Sequence, residues 1–84
     1  MLKELTKFHH QQVVVNTYND EELVKRDGIW FEKIVEDNGY LHFVKEGSVI
    51  LSIKVEGKEL KKEPVFKNFY TVNEHTQRIE IYFP

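Results

Sequence analysis

The sequence predicts a mainly β (α+β) domain, a single small antiparallel sheet or barrel of five to six strands in a meander, with one or two short helices. Three observations carry that expectation. Apolar or β-branched runs from Gly28 to Phe83 are broken at short intervals by Asn, Asp and Gly. Several of these runs alternate with period two, as strands with one wet face do. The length of 84 residues suits one domain with a thin core and little room for a deep pocket.

Taken in order, Leu2, Leu5 and Phe8 recur at helical spacing while Lys3, Glu4 and Lys7 point elsewhere, which predicts a short helix within 2–10. A helix so short persists only when packed on a sheet. Val13-Val14-Val15 marks a first strand over 12–18. Next, Asn19 or Asp20 as cap, Glu21 and Glu22 in a first turn, Lys25 and Arg26 in a last turn and Gly28 as a left-handed stop predict a short helix over 20–27. A charged hairpin arm is the competing reading, because only Leu23 and Val24 are apolar there.

The remaining strands are expected at 29–36, 40–45, 48–55, 65–72 and 78–83. Asp37-Asn38-Gly39, Glu46-Gly47, Glu56-Gly57 and Asn73-Glu74-His75-Thr76 lie between runs, and connections of this kind make consecutive strands antiparallel neighbours. Pro64 lacks an amide hydrogen and belongs at a strand start or an edge. Alternation assigns Val49, Leu51, Ile53 and Val55 to one inner face and Ile79, Ile81 and Phe83 to another. Leu41 pairs with Phe43, and Ile29, Phe31 and Val35 lie opposite Trp30 and Ile34.

Composition narrows the function. The chain has no cysteine, so disulfides, thiolate nucleophiles and cysteine zinc sites are out, which fits a reducing compartment. The N-terminal residues alternate charged and apolar side chains, unlike a signal peptide, and no apolar stretch approaches a membrane span. A cytoplasmic location without membrane contact is therefore expected. Net charge is −2, which argues against broad electrostatic capture of nucleic acid. Residues 20–37 hold seven acids against three bases, while 38–67 hold six lysines against four glutamates, so the acidic stretch could steer a partner.

No motif specifies catalysis. Adjacent His9 and His10 diverge on a helix or strand and cannot easily chelate one ion, so no metal is expected. Ser48 and Ser52 lack a nucleophile-elbow context, and the glycine turns resemble no phosphate loop. Neither enzymatic activity nor a cofactor is expected. Trp30, Ile34, Tyr40, Val44, Ile50, Tyr70 and Tyr82 fall on nominally outer faces, as an interface would require.

The leading expectation is a non-enzymatic protein-interaction module with Trp30, Tyr40, Tyr70 and Tyr82 as anchors. It would bind a protein partner or a second copy of itself, as an accessory or inhibitory factor, including a phage-derived one. The alternative is a nucleic-acid-binding small β-barrel using Lys61, Lys62, Phe66, Lys67, Phe69, Tyr70 and Arg78, which interleave cations with aromatic rings.

Overall fold

The computed structural model describes residues 2–84, with side chains from Glu4 onward; the side chain of Leu2, one of the predicted helical positions, lies outside the described residues. A 3-10 helix, Leu2–Lys7, precedes eight strands: β1 Gln11–Asn19, β2 Glu22–Phe31, β3 Lys33–Asp37, β4 Tyr40–Lys45, β5 Ser48–Lys54, β6 Glu59–Lys62, β7 Phe69–Glu74 and β8 Gln77–Tyr82. They form two antiparallel sheets, one ordered β2-β1-β8-β7-β6 and the other β3-β4-β5. The fold class is the expected one. The sheets stay open, so the barrel alternative is not realised, and the strands number eight rather than five or six.

Residues 20–27 form no helix. They are the charged hairpin arm, with Asp20 and Glu21 at the turn and β2 running from Glu22. The helix-cap signals lose because two apolar residues cannot hold an isolated turn on a core, whereas β2 gains a long ladder with β1 from Gln11↔Phe31 to Asn19↔Glu22, interrupted at Val24. The strand expected over 65–72 also starts later, at Phe69, since residues 63–68 fold back as a loop.

The single strand expected over 29–36 breaks at Glu32, where the chain passes from one sheet to the other. Three hydrogen bonds pin that corner. The Glu32 amide donates to the Val44 carbonyl at 2.8 Å, its carbonyl accepts from the His10 amide at 2.9 Å, and its carboxylate accepts from the Glu46 amide at 3.0 Å. The break shifts the alternation by one. Phe31 and Ile34 are both buried, while Val35, expected inside, is exposed.

One core joins the two sheets and the 3-10 helix. Val13, Val15, Ile79, Ile81, Tyr70, Val72 and Leu60 come from the larger sheet, and Leu41, Phe43, Ile53 and Ile34 from the smaller. Aromatic contacts cross the junction. Phe31 meets Phe43 edge-on at 5.3 Å and Phe83 at 6.0 Å, and Phe83 stacks flat on Phe8 at 3.9 Å. Leu5 and Phe8 are buried there, so the helix expected at the N-terminus exists as a packed 3-10 turn. Val49 leaves the core because the register breaks between Phe43 and Val44, leaving Ile50 unpaired.

Candidate functional site

The outer face of the five-stranded sheet is a lattice set by strand register. One row runs Gly28, Val14, Tyr82, Phe69 across β2, β1, β8 and β7. The next runs Arg26, Asn16, Glu80, Thr71, Lys61 across all five strands, and a third carries Tyr18, Arg78, Asn73 and Glu59. Trp30, opposite Gln12, flanks the first row and is 52% exposed.

The first row is apolar. Phe66, 59% exposed, extends it from the 63–68 loop. Two backbone bonds tie that loop down, Glu63 amide to Phe69 carbonyl at 2.9 Å and Phe83 amide to Asn68 carbonyl at 3.1 Å. Phe66 thereby meets Phe69 at 5.7 Å and Tyr82 at 6.4 Å, and those two rings are 6.3 Å apart. The rings, with Val14, Asn16 and Glu80, line an open depression of about 430 Å³. Gly28 adds no side chain and has no heavy atom within 4 Å of an added Cβ, so backbone is left uncovered between Arg26 and Trp30.

The second and third rows are a polar network. Arg26 Nε donates to Asn16 Oδ1 at 2.8 Å, and Asn16 Nδ2 lies 3.4 Å from Glu80 Oε1. Arg78 sits 3.4 Å from Glu80 Oε2 and lays its guanidinium over Tyr18 at 4.4 Å. Thr71 donates its hydroxyl to Glu63 at 2.9 Å. Arg26 and Arg78 are thus already engaged by an amide, an acid and a ring.

No family model, curated protein or solved structure matches the chain.

Of the four expected protein anchors, Trp30 and Tyr82 share this face. Tyr40 lies on the outer face of the other sheet, opposite Asp37 and Lys54 and stacked on His42 at 5.8 Å. Tyr70 is not on a surface: it is 0% exposed, packed edge-on against Phe8 and Phe83, each at 6.2 Å. The reason is register. Tyr70 pairs with Ile81, so it shares the inner face, and the adjacent Phe69 takes the outer one.

The same correction removes Tyr70 from the nucleic-acid set. The other members gather nearby: Phe69, Lys61 and Arg78 on the outer face, and Lys62, Phe66 and Lys67 around one depression at the loop. Ile34, also expected outside, is buried. The acidic stretch 20–37 does not form one surface, because the corner at Glu32 divides it between the β1–β2 hairpin and β3.

Sequence reasoning missed Val14, Asn16, Gly28 and Glu80. Alternation in β1 and β8 signals that Val14 and Glu80 point outward, but nothing local says that β1 and β8 pair. A second missed contact is His42 Nδ1 to Ser52 Oγ, 2.7 Å across β4 and β5. It has the reach of a base and nucleophile, but no carboxylate is bonded to the ring among the described residues. Among the described residues no three histidine, aspartate or glutamate side chains are placed to hold a metal ion, and no helix is long and apolar enough to cross a membrane.

Proposed function

We propose that the protein is a non-enzymatic interaction module that binds another protein through the outer face of its five-stranded sheet. One observation carries this reading: Trp30, Val14, Tyr82, Phe69 and Phe66 make an apolar, aromatic strip across four strands on the side away from the core. Exposed Trp and Tyr within a polar surround are the residues that anchor interfaces.

The sheet edges support a face over an edge. β2 is long and carries exposed Leu23 and Val24, but its register breaks and leaves Val24 unpaired. β5 carries exposed Val49 and Ile50 beside a similar break. β6 is four residues long, bears Lys61 and Lys62, and is followed closely by Pro64. The 3-10 helix packs against β3. Bulges, brevity, lysines and covering elements are the devices that discourage strand addition.

The test compares partner retention by the wild-type chain, Trp30→Ala and the control Lys54→Ala on the other sheet. Trp30→Ala is expected to weaken binding by roughly 2 kcal/mol while melting with the wild type, because an exposed anchor contributes to the interface rather than to the core. Equal retention by Trp30→Ala would overturn the proposal. Retention lost on nuclease treatment would favour the second reading, single-stranded nucleic acid on the same face. That reading is supported by the cross-strand pair Phe69 and Tyr82 beside Lys61, Lys62 and Lys67. It is second because Glu59, Glu63 and Glu80 lie among those cations, where they would repel a phosphate backbone.

A further inference from the structure

We infer that Phe66, Phe69, Tyr82 and Glu80 form a receptor for an organic cation, the ammonium or guanidinium head of a lysine or arginine side chain on the partner. This deepens the protein-binding reading of the same face and rests on it. The ring centroids make a nearly equilateral triangle with sides of 5.7, 6.3 and 6.4 Å. A cation seated just above such a triangle lies within ~6 Å of all three centroids, the range at which a ring face attracts it. The rings meet at 75°, 62° and 76°, so no two are parallel. A flat base needs a parallel slot or an open platform, whereas a compact cation on an aliphatic stem fits an angular corner.

Charge points the same way. Among the described residues Glu80 is the one carboxylate lining this depression, and its side chain is only 18% exposed. Asn16 and Arg78 approach different oxygens of the carboxylate, each at 3.4 Å, which leaves acceptor capacity free. Among the described residues no lysine or arginine lines the depression, and the cation–π contacts seen involve Phe8 and Tyr18 instead. Among the described residues the three rings therefore have no cation from their own chain, and Glu80, already paired with Arg78 through one oxygen, keeps acceptor capacity beside them. Val14 in the lining suits the methylene stem that carries the charge.

An amide-resolved NMR titration tests this with capped trimethyl-lysine and with its neutral tert-butyl isostere, which has nearly the same shape and no charge. The expected result is saturable shifts at residues 66–69, 80 and 82, with the cation bound at least about fivefold more tightly than the isostere. Phe66→Leu, at an exposed loop position, should keep the fold and erase that preference, and Glu80→Gln should reduce it. Equal binding of the two probes, tighter binding of adenosine monophosphate, or no saturable shift into the tens of millimolar would each overturn the assignment. Failure here with Trp30-dependent partner binding intact removes the cation receptor and leaves the interaction face. Cation binding with no Trp30 dependence does the reverse.

Discussion

Tyr70 shows how one side chain divides its obligations. Its ring fills the junction between Phe8 and Phe83, but its hydroxyl is buried and completes no hydrogen bond of good geometry among the described residues, although Glu4 approaches it. Burial first, and the Glu4 charge second, raise its pKa above the ordinary value of 10.0. The sign of the consequence is fixed by linkage. Below the unfolded-state pKa both states are protonated and stability is unaffected; above it the unfolded chain ionises first, so stability falls as pH rises toward the folded pKa. Tyr70→Phe should therefore be within about 1 kcal/mol of wild type or more stable at neutral pH, because it removes an unsatisfied hydroxyl. It should also lose less stability as pH rises above about 10, the ordinary tyrosine pKa. Tyr70→Ala should lose about 3–5 kcal/mol through the cavity it leaves. Urea denaturation across that pH range reads all three, and an unchanged alkaline slope in Tyr70→Phe would contradict the assignment.

Among elements, the hairpins are the most local structures and the best forecast. Four connections have two residues: Asp20-Glu21, Asn38-Gly39, Glu46-Gly47 and His75-Thr76. Asn38 and Gly39 have φ of 53° and 77°, and Glu46 and Gly47 have 52° and 77°, the left-handed pairs that match strand twist. Asp20 and Glu21 adopt 50° and 67° without a glycine, so the β1–β2 turn is strained and gives no sequence signal of a hairpin. Glu21→Gly is expected to stabilise the domain by about 0.5–1 kcal/mol. Gly39→Ala is expected to cost more than Gly47→Ala, since its Cβ would lie 2.5 Å from Glu56 Cβ while Gly47 faces open space. Thermal melts of the three variants check the order; equal losses for the two glycines would show that Glu56 yields freely.

For the whole molecule, the decisive pairing is β8 with β1, which joins the two ends of the chain and builds the larger sheet. β1, β8 and β7 each have a strand on both sides and supply much of the core, whereas residues 22–27 of β2 flank an edge and are mostly exposed. Amides of Val15, Ile79 and Ile81 should exchange only through global unfolding, and those of residues 22–27 through local opening at much lower free energy. Hydrogen exchange under native conditions reports the contrast. Uniform protection would mean that the hairpin arm and the central strands open together.

The sequence by itself determined the β class, the strand at 40–45 and, to within one residue, the strand expected over 48–55, the inward set Leu41, Phe43, Ile79, Ile81 and Phe83, and most of the turns. These depend on side-chain alternation and on residues that tolerate positive φ, both local properties. Only the tertiary structure decided that residues 22–27 are a strand reached through a turn at Asp20 and Glu21, that the chain changes sheets at Glu32, and that Tyr70 faces in while Phe69 faces out. It also brought Val14, Glu80, Tyr82 and Phe66 together from segments up to 68 residues apart. Such placements follow from which strands pair and in what register, and a one-residue shift exchanges the faces of a whole strand. Ladder hydrogen bonds and a shared core settle that choice, and they form between distant segments on which no single local pattern bears.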